Sequence, residues 1–300
     1  MNDGTTASEP RGWFEGLDGD DADDAEEKAA TRRIRDGSAD APADWPARAV
    51  ESGFADDETD YYARLREATV EAAREAAAER ERADDRQLVH AVRSMDDADR
   101  VANELAERVS EWAGTQFEAG SGVDYARELA ARDPEGPDQE RVVSLAGRVA
   151  DLADEADDLR TYIEQRAPTV APNLTEMAGP VLAARLLSLA GGLDSLAKKP
   201  AGTVQVLGAE DALFAHLRGR APSPKHGVIF THEFVRGTRP EDRGSAARAF
   251  AGKLALAARA DHYAGERRPQ LHEDLQERME TIRARAEDTD DDSTEGGAAE

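Results

Sequence analysis

The sequence predicts a mainly α-helical protein: a coiled-coil helical hairpin followed by a compact all-α domain, with a reduced, partly disordered N-terminal region ahead of both. Apolar residues recur three and four apart through two tracts that flank a Gly- and Pro-rich break. Residues 168–268 carry shorter apolar tracts, interrupted by Pro180 and Gly191-Gly192. Residues 1–45 are acidic and hold few side chains that could pack.

Taken in order, residues 1–45 include the acidic run Asp18 to Glu27 and offer only Trp13, Phe14, Leu17 and Ile34 for burial. Such a segment cannot offset its ordering entropy, so it is expected to be mostly disordered. Residues 46–83 form the reduced N-terminal region, in which Glu58 to Arg82 has the Ala, Glu and Arg content of a strong helix. Residues 84–167 supply the hairpin. Its first helix shows Leu88, Val92 and Met95, then Ala98, Ala102, Leu105, Val109 and Trp112. Its second shows Val142, Leu145, Val149, Leu152, Ala156, Leu159 and Ile163, a strict three-and-four alternation that reads as a heptad seam. The break runs from Gly114 to Pro137, and an ordinary bundle pair is the plainer alternative to a coiled-coil arm.

In residues 168–268, Asn173 and Glu176 resemble an N-cap with its reciprocal acid. Leu174, Met177, Val181, Leu182, Leu186, Leu189, Leu193 and Leu196 then predict short bent helices. Val204-Gln205-Val206-Leu207 and Val228-Ile229-Phe230 read as extended or loop segments, with helices at about 211–218 and 243–262. Residues 269–300 are expected to form one more helix, at about 271–287, and a disordered acidic tail.

The formal charge is −26, and only Lys28, Lys198, Lys199, Lys225 and Lys253 are lysines. Such a surface suits a salt-rich cytoplasm, where repulsion is screened. There is no cysteine, no stretch resembling a signal peptide and no run of about 18 apolar residues, so a soluble cytoplasmic protein is expected. The charge is uneven: residues 168–268 hold 14 Lys and Arg against 9 Asp and Glu, whereas the remainder holds 24 against 55. Burial would dilute both signs, but only the acids fall, which points to a polyanionic partner such as RNA.

No catalytic constellation assembles. The six histidines show no HExxH spacing, His232-Glu233 reads as an exposed pair, and no P-loop or nucleophile elbow occurs, so no metal or cofactor is expected. A phosphate-binding surface does assemble, from Lys198, Lys199, Arg218, Arg220, Lys225, Arg243, Arg248, Lys253 and Arg259. Phe214, beside Leu213, could stack on an unpaired base, although core packing is the commoner use of a lone Phe.

These residues also carry a resemblance. Pro172-Asn173-Leu174, Ala178-Gly179, the run LAKKPAGTVQVLGAEDALFAHLRGRAPSPKHGVIF from Leu196 to Phe230, and RGSAARAFAGKLALAARADHYAG from Arg243 to Gly265 resemble the Nop domain. SMDDADRVANELAERVSEWAG, ending at Gly114, resembles the start of the family's coiled-coil module, so the likeness spans about residues 50–265. It implies a non-enzymatic scaffold of archaeal, haloarchaeal-type box C/D particles for RNA-guided 2′-O-methylation of rRNA and tRNA. The implied partners are guide RNA with a kink-turn, its ribosomal-type binding protein, and fibrillarin, which would hold the S-adenosylmethionine. Self-association through the coiled coil is implied as well.

Carried over by motif, Lys198, Gln205, Gly208, Ala209, Glu210, Leu213, Phe214, Lys225, His226 and Gly227 are expected to face RNA or partner, with Arg248, Lys253, Arg259 and Asp261 on the closing helix, and Lys199, Arg218 and Arg220 join that surface on their charge alone. Asp211, Ala215 and Ser245 stand where the family usually has cations. Fewer than about 85 residues precede the coiled coil, where the family has a folded α/β fibrillarin-binding domain. Two other readings stay open: a kink-turn binder that recruits no methyltransferase, and a hydrolase using the His and Asp residues of 216–262.

Overall fold

Proline and aspartate set where many of the helices begin. The computed structural model describes residues 12–17, 24–37 and 42–295. Among these, every regular element is helical, as expected. The chain divides into two units, residues 1–83 and 84–300.

The first unit contains α1 (Asp24–Asp36), α2 (Trp45–Glu51) and α3 (Glu58–Arg82). Asp44 caps α2 by accepting from Ala47 N, and Asp57 caps α3 by accepting from Asp60 N. Arg80 and Arg82 close α3 at its negative end. More of the N-terminal stretch is ordered than its composition suggests. Phe14 is buried against Phe54 and Tyr61, Trp13 Nε1 donates to the Tyr61 hydroxyl at 3.3 Å, and the Arg33 guanidinium donates to Trp13 O and Glu15 O. Aromatic rings bury much area per residue, so a few suffice to hold a short acidic chain. The expectation of disorder at residues 1–11, 18–23 and 38–41 lies outside the described residues.

The second unit opens with α4 (Asp84–Ala113) and α6 (Pro137–Val170), the two helices of the hairpin. Between them the expected break holds a further helix, α5 (Gly122–Ala130). Tyr125, Ala126 and Leu129 bury one face of α5, and the Tyr125 hydroxyl donates to Glu118 O. The distal core joins these to Ala102, Ala106, Val109 and Ala113 of α4 and Val142, Ala146, Val149 and Ala153 of α6. The buried stripe is therefore one residue over from the expected seam at four positions, 105, 112, 145 and 152. Leu105, Leu145, Leu152 and Leu159 are half-buried flanks, and Trp112 is 44% exposed. Alanines at 106, 113, 146 and 153 take the inner places, which the pattern of large residues conceals.

α6 runs past Pro168 to Val170, and the base of the hairpin merges into the C-terminal helices. Leu88, Val92, Met95, Ala156, Ile163 and Ala167 share one core with α7 (Pro172–Ala178), α8 (Pro180–Ala190), α9 (Leu193–Lys198), α10 (Ala201–Val206), α13 (Arg243–Arg259) and α14 (Gln270–Glu295). Proline starts α6, α7 and α8, where its missing N–H costs nothing. Gly191 ends α8 in the left-handed region at φ +90°, so the Gly191-Gly192 pair is a helix bend, as expected. Asp85 then accepts from Leu193 N at 2.8 Å and seats α9 on the hairpin.

Four local expectations differ. Residues 204–207 are not extended: Val204 and Gln205 lie in α10, whose Val204 is buried in the core shared with α13. Val228 to Thr231 form a 3-10 turn. Tertiary burial overrides the extended preference of β-branched residues in both. Asn173 is not a cap but lies inside α7, where its side chain bonds Asp261, Glu266 O and Arg268 N, while Glu176 pairs with Arg267 at 3.1 Å. α14 continues to Glu295, over part of the expected tail, with Leu275, Met279 and Ile282 buried; residues 296–300 lie outside the described residues. No helix among the described residues is long and apolar enough to cross a membrane.

Candidate nucleic-acid interface

α11 (Glu210–Leu217) buries none of its residues. Leu213 is half-buried, Phe214 is 56% exposed and Leu217 is 71% exposed. An eight-residue helix that contributes nothing to a core would not persist by propensity alone. It is held at both ends. Glu210 Oε1 accepts from Gly208 N at 2.9 Å, and Gly208 takes φ +81°, a conformation costly for other residues. At the far end Gly219 turns the chain, and the His216 ring meets Ala221 O at 3.0 Å. Ala209 is the residue before the first turn, and Asp211 lies exposed within it.

Residues 225–228 fold back onto the end of α10. Gly227 N donates to Gln205 O at 2.8 Å, Val228 N donates to Leu207 O at 2.7 Å, and Gln205 Nε2 donates to Lys225 O at 2.7 Å. A Cβ on Gly227 would stand 1.9 Å from Leu207 O, so the close pairing admits glycine alone. His226 stacks on Phe230 at 4.5 Å, and Arg243 lies over the same ring at 5.3 Å. Burial first, then Arg243 and Lys225, pushes His226 below the ordinary histidine pKa. Lys225 runs beside Gly244 at the start of α13, and Arg248 lies exposed one turn further on.

The expected cations fall into two groups. Lys199, Arg218, Arg220, Lys225 and Arg248 make no ion pair with an acid among the described residues. The others have internal partners. Lys198 pairs with Asp194 at 2.7 Å and Lys253 with Asp274 of α14 at 2.6 Å. Arg259 donates to Ala197 O and Lys199 O at 3.0 and 3.1 Å, closing the end of α9, and Gln205 is likewise spent as a clip. Asp261 belongs to the core: its carboxylate accepts from Asn173 N, Asn173 Nδ2 and Leu174 N at 2.6–2.9 Å. Burial pushes that carboxyl above the ordinary aspartate pKa, against the pull of the three donors. Leu217 is missing from the site expected from sequence, though its three-residue spacing from Phe214 on one helix is the available signal.

His232 is a structural cap. Its Nδ1 accepts from Phe234 N at 3.1 Å at the start of α12 (Glu233–Arg236), and its ring meets Phe250 at 4.6 Å. Burial pushes its pKa down, Glu233 opposes this and His272 adds to it. A lowered pKa means that the folded state resists a proton which the unfolded chain accepts. The stability tied to neutral His232 is full above about pH 6.5 and is lost as the pH falls below it. His232→Asn keeps an acceptor at the cap and removes the titration. We expect urea unfolding between about pH 7 and 5 to show a shallower loss of stability in this variant than in the parent; equal slopes would refute the assignment.

No three His, Asp or Glu side chains among the described residues gather as metal ligands would. The arrangement offers instead an exposed apolar helix bounded by glycine turns, and cations without ion-pair partners in the same domain, suited to phosphate and to a partner's surface.

Comparison with known proteins gives the family. The family model described as Nop, snoRNA binding domain, fibrillarin, matches residues 84–283. An uncharacterised NOP5 family protein of Methanocaldococcus jannaschii is 35% identical over 237 residues, covering 66% of this chain and 57% of that one. Nucleolar protein 56 of Saccharomyces cerevisiae is 33% identical, covering 61% and 45%, and nucleolar protein 58 of Schizosaccharomyces pombe is 34% identical, covering 59% and 42%. The chain thus spans about half the length of these relatives. Among solved structures, a chain from the crystal structure of a fibrillarin/Nop5p complex superposes with a TM-score of 0.50 at 26% identity, covering 91% of this chain and 99% of that one. The helices that build the exposed α11 face all lie inside the matched span, and the chain belongs to the Nop family.

Proposed function

We propose that this protein is a non-catalytic RNA-binding scaffold of a box C/D-type guide particle. It docks on kink-turn RNA together with the ribosomal-type protein bound there, and brings fibrillarin to the target ribose. The observation that carries the reading is α11: a helix with no buried residue, presenting Phe214 and Leu217 just ahead of Arg218, Arg220 and Lys225 in the chain. A free-standing apolar tip serves no core and suits a composite surface, apolar contacts to protein or unstacked base and cations to phosphate. Asp211, Ala215 and Ser245 supply no cation here, so apolar contact carries more of the affinity. In this reading the methyl donor belongs to fibrillarin. Self-association would use the flank of the hairpin, where Trp112 is exposed and Leu105 and Leu145 are half-buried.

The test is binding of purified chain to kink-turn RNA with and without its ribosomal-type protein. The pair should bind and RNA alone should bind weakly; indifference to the pair would end the scaffold reading. Lys225→Ala with Arg248→Ala should weaken binding to the pair by about tenfold at low salt, and less as salt rises, since each lost phosphate contact lowers the salt slope by about one. An unchanged affinity would refute the surface. A second reading, without methyltransferase recruitment, is favoured by the small all-helical build of α1 to α3. Capture of fibrillarin by the full chain, but not by a chain starting at Asp84, decides against it.

A further inference from the structure

The end of α13 presents a second exposed aromatic group that α11 does not account for. After Arg259 the helix widens into a π turn, Ala260–Ala264, closed by Gly265 at φ +66°. The extra residue in such a turn redirects side chains, and π turns are frequent at functional sites. Here Asp261 points inward to its three N–H donors, while His262 Nε2 reaches Asp194 of α9 at 3.1 Å. Tyr263 is thrown outward, 66% exposed, with the His262 ring edge-on at 4.5 Å behind it. The ring is thus exposed yet mounted on fixed neighbours.

The surroundings supply cations. Asp194, which holds His262, also pairs with Lys198 at 2.7 Å, and Arg259 donates to Lys199 O and Ala197 O, so the end of α9 is tied to the end of α13, and the Lys199 side chain makes no ion pair among the described residues. An exposed aromatic face with a lysine on the adjoining element is an arrangement that suits single-stranded nucleic acid, base on ring and phosphate on lysine. A protein partner would be better served by a larger apolar patch than one ring gives.

We propose that Tyr263, with Lys199, forms a stacking platform for an unpaired nucleotide of the bound RNA, outside the kink-turn itself. This rests on the scaffold reading and extends it. The test compares two RNAs, each with the ribosomal-type protein bound: a minimal kink-turn and the same kink-turn carrying a single-stranded uridine tract. Tyr263→Ala should weaken binding of the extended RNA about tenfold and leave the minimal one unchanged. Tyr263→Phe should restore the extended RNA, because stacking needs the ring and not the hydroxyl. 4-Thiouridine in the tract should crosslink to the peptide holding Tyr263. Equal affinities of Tyr263→Ala and the parent for the extended RNA, or an equal loss on both RNAs, would overturn the platform alone. Failure of the parent to bind either RNA would overturn the scaffold reading and the platform with it.

Discussion

Replacing Phe214 and Leu217 together by alanine is expected to reduce assembly on the RNA–protein pair by about a hundredfold, while thermal stability stays within about 0.5 kcal/mol of the parent. The two halves of this result have separate causes. Neither side chain belongs to any of the buried clusters, and α11 is held by its ends, through Glu210 to Gly208 N and the turn at Gly219, which the substitutions leave intact. Alanine is also the better helix former at both positions. Large apolar side chains that are exposed in the free protein gain most when a partner removes them from water, and each such anchor contributes about 2 kcal/mol or more when centrally placed. Salt separates this pair from the cations. The loss caused by Lys225→Ala and Arg248→Ala should shrink between low and molar potassium chloride, whereas the Phe214 and Leu217 loss should persist or grow. A melting temperature that falls with the affinity would show that α11 is part of the fold, and its exposure would then no longer mark it as a docking helix.

How much of this was legible in the sequence depends on the range of the interactions involved. The two hairpin helices are local objects, and the spacing of Val142, Val149, Ala156 and Ile163 places them directly. The positive balance of residues 168–268 likewise depends on composition alone, and that segment carries α11 and α13. The features that escaped have a tertiary cause. The helix α5 exists because Tyr125, Ala126 and Leu129 find α4 and α6 beside them, and no nine-residue peptide would show it alone. Gln205, Lys253 and Arg259 have the residue types of a binding surface, but their partners are Lys225 O, Asp274 and the end of α9. Nothing in their neighbourhood along the chain announces those contacts.

Asn173 and Asp261 lie 88 residues apart, and their link is the clearest case of such a hidden partnership. Both are buried. Asp261 takes three N–H donors from the first turn of α7, and Asn173 passes the contact on to Glu266 O and Arg268 N at 2.9 and 2.6 Å. The network ties the beginning of α7 to the end of α13, and so fixes the helix that carries Arg248 and the π turn that carries Tyr263. Asp261→Ala leaves the Asn173 and Leu174 N–H groups buried without acceptors, at about 1–3 kcal/mol for each orphaned group, so a loss of about 4 kcal/mol is expected in urea unfolding. Asp261→Asn keeps one acceptor but sets an amide against a donor, and should lose about half as much. Asn173→Ala breaks the same network from its other side. If the two residues act as one unit, the double variant should lose clearly less than the sum of the singles, by about 1–2 kcal/mol. Strict additivity would mean that the two contacts are independent, and that α13 is held in place by apolar packing alone.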